Sequence, residues 1–204
     1  MNNIKYASRK DFRSDDELYF SWWLDELKYF GFIHSWEYES ETFTLAEPHK
    51  LKYLKKMKTK SKEMEHKFLE KCEYTPDFKI FWNNKSKDIF YYDCFEKYIS
   101  DPKELPYFCA KDNVSRIEIK PSFNFQGKTD QAIIKIKWLM QLGTPVQLVV
   151  PTPSVSKVGK ISPKNSLFPN TFLPERYMFT DTGKQYRKIK YDFVTLKEYL
   201  NGNT

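Results

Sequence analysis

Cysteine is scarce in this chain of 204 residues, which contains only Cys72, Cys94 and Cys109. An odd and sparse count does not form a disulfide framework and is typical of a reducing compartment. No two of these residues form a CxxC pair, so a structural zinc site, which needs closely spaced ligand pairs, is disfavoured. We expect buried thiols that pack as small hydrophobic groups.

Long apolar runs are also missing. No stretch approaches the roughly 20 apolar residues that a membrane helix needs, and the first residues, MNNIKYASRKDF, lack the apolar segment of a secretory signal. We therefore expect a cytoplasmic protein with no membrane partner. Histidine is rare as well, and the three histidines accompany no GxSxG serine motif, so a serine hydrolase has no support.

What the chain does contain is apolar and basic. Hydrophobic residues make up 40% and aromatic residues 18%, which is enough for the core of one ordinary domain with an appendage. The formal net charge is +7. A positive balance favours polyanionic partners through long-range attraction and counterion release, although many basic proteins bind no nucleic acid.

Periodicity predicts two helices and several strands. Residues 15–30 carry apolar side chains at helical spacing, between Ser14 as N-cap and Gly31 as stop, and residues 129–142 repeat this pattern. Strand patterns are found in four further segments: 36–45, 67–82 (broken by Pro76), 114–120 and 146–150. The predicted class is α/β (α+β), with helices on either side of a mixed sheet.

The chain divides into a core at 1–150 and an appendage at 151–204. Within the core, residues 83–112 have the composition of an inserted lobe with an aromatic strand, IFYYDCF. Residues 151–169 form a proline-rich linker, and the rest is a basic and aromatic C-terminal extension. The aromatic insertion is a candidate dimer element, since a protruding lobe seldom shows so much apolar surface to water.

Residues 49–62 carry seven lysines and no acidic residue. If this segment were a helix, Leu51, Leu54 and Met57 would give it only a narrow apolar face. One interpretation is a solvated loop or exposed helix, and the other is an arm that binds phosphate groups. In the second interpretation the contacts fall to the central lysines: Lys55, Lys56, Lys58 and Lys60.

Two carboxylates and one lysine have the chemistry of phosphodiester hydrolysis. Asp77 follows a proline, which marks a strand edge or bulge where a carboxylate can be aimed. Glu118 and Lys120 alternate with isoleucines in RIEIK and should project from one face of a strand. Carboxylate oxygens hold a hard cation such as Mg²⁺ or Mn²⁺, which activates a bound water, while a lysine offsets charge in the transition state.

Each of these residues also has a structural interpretation. Asp77 can be a turn residue, and Glu118 with Lys120 can be an exposed pair on a solvated sheet face. Their joint presence in this order favours the catalytic interpretation.

The segment YTPDF followed by IEIK resembles the PD-(D/E)XK nuclease superfamily, with Pro76-Asp77 as the PD element and Glu118-Ile119-Lys120 as the EXK element. Within it, the chain is most similar to phage-type Holliday-junction resolvases and transposon-end endonucleases. The resemblance covers roughly residues 14–150 and implies a restriction-endonuclease-like αβββαβ core. Asp77 and Glu118 are 41 positions apart, more than is usual in that family, so residues 83–112 must be extruded for the carboxylates to meet.

The resemblance also implies an activity and partners. It implies a Mg²⁺-dependent (or Mn²⁺-dependent) endonuclease acting on branched or duplex DNA, and for a junction substrate a homodimer. If the chain is phage-encoded, it would act in recombination or replication in the host cell cytoplasm. Alternatives are a nuclease fold that only binds nucleic acid or a partner, and an unrelated protein with accidental motifs.

The superfamily also uses an acidic residue on its first helix, and Glu17 is the match in this chain. Glu17 would then join Asp77 and Glu118 at the metal. Alternatively it only forms a capping box with Ser14. On the second helix, Gln131 and Lys135 match positions that contact phosphate or water, or they lie on a solvated face.

Overall fold

A computed structural model of the chain describes residues 4–83, 113–120, 128–149 and 174–179. Two helices lie in these ranges, α1 (Asp15–Tyr29) and α2 (Lys128–Gln141), with 3-10 turns at Arg9–Asp11 and Arg176–Phe179. The strands are β1 (Ile33–Tyr38), β2 (Phe43–Ala46), β3 (His49–Lys56), β4 (Ser61–Leu69), β5 (Cys72–Tyr74), β6 (Phe78–Trp82), β7 (Val114–Ile119) and β8 (Gln147–Val149). The predicted α+β class is confirmed.

The central sheet has four strands in the order β1-β6-β7-β8. β1 pairs antiparallel with β6 and β6 antiparallel with β7, whereas β8 runs parallel to β7. The sheet is therefore mixed, as predicted. Along the chain, the two helices and these four strands follow the order helix, three strands, helix, strand.

The two helices pack on opposite faces of this sheet. α1 buries Phe20, Leu24 and Leu27 in one cluster that also contains Val149 of β8, while α2 belongs to a second cluster bordered by Leu148. Successive strand residues point to opposite faces, so each cluster covers its own side of β8. No helix in the described ranges is both long and apolar enough to cross a membrane.

The predicted boundaries of α1 are confirmed. Ser14 and Glu17 form a capping box at its start, in which each side chain bonds the backbone N–H of the other. At its end, Gly31 has a φ of +79°, a left-handed conformation in which a side chain would be strained.

Three predictions of local structure need correction. The single strand at 36–45 is wrong, because Glu39 has a φ of 47° and turns the chain between β1 and β2. The run at 67–82 has the predicted break at Pro76, between β5 and β6, and also a second break between β4 and β5 that was not predicted. The lysine-rich segment is neither a loop nor a helix, since β3 and β4 form an antiparallel hairpin in which Leu51 pairs with His66 and Lys55 with Lys62. The few apolar residues of this segment could not reveal a strand, because which side chains share a face is fixed by pairing with β4.

Part of the predicted C-terminal extension packs on the core. Tyr177 is fully buried and meets Tyr19 of α1 edge to face at 4.9 Å. The backbone N–H of Glu175 donates to Glu26 Oε1 at 2.6 Å. The predicted insertion at 83–112 and the linker at 151–169 lie outside the described residues apart from Asn83, so their roles stay predictions.

Candidate active site

Asp77 and Glu118 meet although they are far apart in sequence. Asp77 directly precedes β6, and Phe78 pairs with Ile117 across the ladder to β7. Asp77 Oδ2 accepts a hydrogen bond from the backbone N–H of Ile119 at 2.7 Å. The antiparallel pairing of β6 with β7 therefore brings both carboxylates to one end of the sheet.

Glu118 lies on the polar face of β7, as alternation predicts. Ile117 and Ile119 are buried in the cluster beneath α1, whereas the Glu118 carboxylate bonds residues on the other side. Tyr74 donates its hydroxyl to Oε2 at 2.8 Å, and Lys120 Nζ donates to Oε1 at 2.5 Å. Glu118 is 5% exposed, so Tyr74 and Lys120 fix the direction of a buried carboxylate.

Glu17 reaches the same region from the start of α1. Its Oε2 accepts from the backbone N–H groups of Arg13 at 2.9 Å and Ser14 at 3.3 Å, and from the Tyr38 hydroxyl at 2.6 Å. The capping role is thus present, and it coexists with a position beside the other carboxylates.

One cavity of about 1060 Å³ joins these groups. The four predicted residues of the cleavage centre line this cavity: Glu17, Asp77, Glu118 and Lys120. Gln131 and Lys135 of α2 line it as well. Lys135 Nζ also donates to the backbone carbonyl of Glu73 at 3.0 Å. The lysines at 55, 56, 58 and 60 are not among the lining residues and lie on the β3–β4 hairpin.

The electrostatics of this cavity are those of crowded carboxylates. Burial and the neighbouring negative charge of Glu118 raise the pKa of Asp77 to about 7, while the N–H of Ile119 and the charge of Lys120 oppose the rise. The negative charge of Glu17 raises the pKa of Asp77 further. Burial and Glu118 also raise the pKa of the Tyr74 hydroxyl, so Tyr74 acts as a hydrogen-bond donor. Such a cluster of like charges favours a bound cation.

The donor set fits a hard divalent cation held by two carboxylates. Mg²⁺ is usually bound through one or two carboxylates, with waters and substrate phosphates completing its shell. Asp77 Oδ1 accepts no hydrogen bond from the described part of the chain, and each Glu118 oxygen has a second lone pair beyond its one donor. In the described ranges, no three acidic, histidine or cysteine side chains are arranged to hold a metal, so the role of Glu17 as a third ligand stays a prediction.

Several residues of this region were not singled out from the sequence. Tyr74 is one, although its place in YTPDF was a usable signal. Glu41 is another: its carboxylate accepts from Lys79 Nζ and from Arg116 Nε, both at 2.6 Å, and ties the β1–β2 turn to β6 and β7. Those contacts lower the pKa of Glu41, with the Arg116 bond as the largest cause. Nothing in the local sequence pattern marks Glu41.

Fold and site together define a mixed α+β protein with a buried carboxylate pair beside a lysine. Comparison of the chain with protein-family models, with curated proteins and with solved structures finds no match in any of the three.

Proposed function

We propose that this protein is a metal-dependent endonuclease that hydrolyses DNA phosphodiester bonds on a restriction-endonuclease-like core. The observation that carries the proposal is the meeting of Asp77 and Glu118 in one cavity with Lys120. The order helix, three strands, helix, strand around a mixed sheet supports the same core.

Each residue has a definable task. Asp77 and Glu118 would hold Mg²⁺ or Mn²⁺, which when bound supplies Lewis-acid activation of the phosphoryl oxygen and of the attacking water. Lys120 would offset the negative charge that develops on the pentacoordinate phosphorus in the transition state. Tyr74 holds the Glu118 carboxylate in one orientation, and Lys135 with Gln131 offers donors to flanking phosphates across the cavity.

The test uses near-isosteric variants. Asp77→Asn and Glu118→Gln keep the acceptors for Ile119 and Tyr74 but remove the charge that binds a cation. We expect each to lose about 100-fold or more in cleavage with Mg²⁺, and EDTA to abolish cleavage by the unchanged protein. Asp15→Asn, which removes an exposed carboxylate from the first turn of α1, is the matched control and should cut normally.

Metal binding gives a second readout. Mn²⁺ should raise the thermal midpoint of the unchanged protein and of Asp15→Asn, and should not raise that of Asp77→Asn. Full cleavage by either site variant, or in excess EDTA, would overturn the proposal.

A second candidate is a protein of this fold that binds nucleic acid without cutting it. It is favoured by the contacts of Glu118, both of whose carboxylate oxygens already have protein donors. Under this candidate, binding persists and no substrate is cut with either metal.

The substrate form and the assembly are part of the same proposal. Branched DNA and a homodimer are proposed because junction cleavage needs two cuts. Light scattering combined with cleavage of a four-way junction and a linear duplex tests both. A monomer that cuts the two substrates equally fast would leave a general nuclease.

A further inference from the structure

The β3–β4 hairpin is a protruding arm, which we define as residues 49–69. All eight residues of β3 are exposed, and so are all but one of the nine residues of β4. At a rise of about 3.4 Å per residue, β3 extends about 27 Å. An arm of this kind has no core of its own, so its side chains are available to a partner.

The arm grows out of the wall of the cavity. β2 and β5 pair with each other, with Phe43 opposite Tyr74 and Ala46 opposite Cys72, and the arm continues this two-stranded ribbon. Glu73 and Tyr74 of β5 line the cavity. A polymer that enters the cavity can therefore continue along the arm.

The two faces of the arm differ in chemistry. Directly opposed residues of an antiparallel pair share a face, and alternate residues along each strand do so too. The acid-free face carries three such pairs: Leu51 with His66, Tyr53 with Met64, and Lys55 with Lys62. The mixed face carries Glu63 and Glu65 among its lysines, and Lys50 is already ion-paired with Glu65 at 3.1 Å.

The acid-free face combines an exposed aromatic ring with two lysines that share the face with no acidic residue of the arm. Tyr53 is 47% exposed and stands between the Leu51–His66 pair and the two lysines. Lysines alone would suit any phosphate backbone. An exposed tyrosine adds a surface on which an unstacked base can lie, and this pairing of ring and cation is how proteins bind single strands without reading sequence.

We propose that the acid-free face of the arm binds unpaired nucleotides of the substrate, with Tyr53 stacked on a base and Lys55 and Lys62 against phosphates. The proposal deepens the proposed function by naming the substrate class as DNA with a single-stranded segment next to the cleavage site. It rests on that function only in taking nucleic acid as the ligand.

The test measures binding in EDTA, so that neither metal nor cleavage is needed. Fluorescence anisotropy with labelled oligothymidylate and with a hairpin duplex gives the two affinities. Tyr53→Ala should weaken oligothymidylate binding by about 5- to 150-fold, the range for one stacked base, and Tyr53→Phe should restore it. Leu54→Ala, which truncates the next residue on the mixed face, is the control and should bind like the unchanged protein.

The lysines have a matched pair of double variants. Lys55→Gln with Lys62→Gln should reduce the slope of log K against log salt by about 1.4, or 0.7 per lost single-strand contact. Lys50→Gln with Lys67→Gln removes the same charge from a directly opposed lysine pair on the mixed face, where both lysines are ion-paired with glutamates, and should leave the slope nearly unchanged.

Three outcomes would overturn the proposal: equal effects of the two double variants, equal effects of Tyr53→Ala and Leu54→Ala, or a loss of duplex binding as large as the loss of single-strand binding. The last outcome would assign the arm to the duplex backbone. If Asp77→Asn loses cleavage and the expected binding results hold, both proposals stand. If the unchanged protein binds as expected but cuts no substrate, only the proposed endonuclease function is overturned.

Discussion

At the scale of single residues, the capping role of Glu17 does not exclude the metal-binding role that the sequence presented as its alternative. Glu17 closes the capping box of α1, and it also lines the cavity beside Asp77 and Glu118. The Tyr38 hydroxyl and two backbone N–H groups all bond Oε2, while Oε1 accepts no hydrogen bond from the described part of the chain. Oε1 is therefore the Glu17 oxygen that can accept a contact from a metal ion or a water.

Glu17→Gln separates the capping role from the predicted role in cleavage. A glutamine oxygen can accept the same backbone and tyrosine donors, so the free energy of unfolding should change by less than about 1 kcal/mol. If the charge of Glu17 serves cleavage, the rate should fall about 100-fold. Urea unfolding and a cleavage assay on the same preparation measure both quantities.

Ser14→Ala is the complementary control. It removes the side chain that accepts from the Glu17 N–H and should cost about 1 kcal/mol of stability while the charge and the cleavage rate remain. Wild-type cleavage by Glu17→Gln would reduce Glu17 to its capping role.

Glu26 is a buried acid outside the candidate site. It is 2% exposed, and its Oε1 accepts from the Tyr6 hydroxyl at 2.9 Å and from the N–H of Glu175 at 2.6 Å. Burial raises the pKa of Glu26 to about 7, and these two hydrogen bonds oppose the rise. The folded protein therefore holds a proton on Glu26 that the unfolded chain releases near its ordinary value of 4.5.

This shift predicts a definite pH dependence. Between pH 4.5 and about 7 the folded state binds more protons than the unfolded state, so the free energy of unfolding falls as pH rises. The total fall attributable to Glu26 is at most about 3 kcal/mol. Glu26→Gln keeps an oxygen for both donors and removes the titration.

Urea unfolding from pH 4 to 8 should show Glu26→Gln gaining stability over the unchanged protein as pH rises through this window. Glu37→Gln alters an exposed carboxylate of β1 and should run parallel to the unchanged protein at every pH. A constant difference between Glu26→Gln and the unchanged protein would show that Glu26 does not titrate there.

At the scale of elements, the molecule separates a buried sheet from an exposed ribbon. β6 alternates with Phe78, Ile80 and Trp82 buried, whereas β3 exposes every residue. Stability therefore comes from the sheet and its helices, and the arm contributes little burial.

Deleting residues 49–69 should leave the fold intact. Ala46 and Cys72 already pair at the base of the arm, so residues 47, 48, 70 and 71 would close a four-residue hairpin loop of ordinary length. We expect the thermal midpoint to move by only a few degrees and the affinity for oligothymidylate to fall sharply. Circular dichroism and anisotropy check the two expectations.

A deletion variant that melts far lower would mean that the arm packs on the core. A variant that keeps both stability and affinity would place the nucleic acid elsewhere on the protein.

At the scale of the whole molecule, residues 174–179 pack on α1 although they are remote from it in sequence. Tyr177 belongs to the main core cluster, and the Arg176 guanidinium lies 4.7 Å from the Trp22 ring centroid. The sequence placed these residues in an appendage after a linker, and the division at residue 150 stays a prediction for the rest of that region.

Tyr177→Ala should destabilise the entire core. Truncating a fully buried aromatic side chain costs about 3 to 5 kcal/mol, whereas Arg176→Gln should lose only a cation–π contact of about 1 kcal/mol. One cooperative urea transition, shifted strongly in the first variant and slightly in the second, is the expected result. A Tyr177→Ala variant as stable as the unchanged protein would separate this segment from the core.

The sequence by itself determined the features that depend on near neighbours. The start and end of α1 are set by near neighbours in sequence, namely Ser14 with Glu17 at the start and Gly31 at the end. The alternation of RIEIK places the isoleucines on the buried face and Glu118 on the other face. The α+β class follows from counting such segments. The proline before Asp77 and the alternation in RIEIK singled out the two carboxylates, and the resemblance to a nuclease superfamily supported placing them in one site.

The tertiary structure alone decided which remote segments meet. The ladder between β6 and β7 spans 41 positions to join Asp77 with Glu118, and only packing of the sheet brings Tyr74 and Glu17 to the same cavity. The lysine-rich segment became a strand because β4 supplied its hydrogen-bonding partner, and Tyr177 became core because α1 offered an aromatic surface. Pairing and burial between distant segments depend on the total area and hydrogen bonds gained by the whole chain, which no window of neighbouring residues contains.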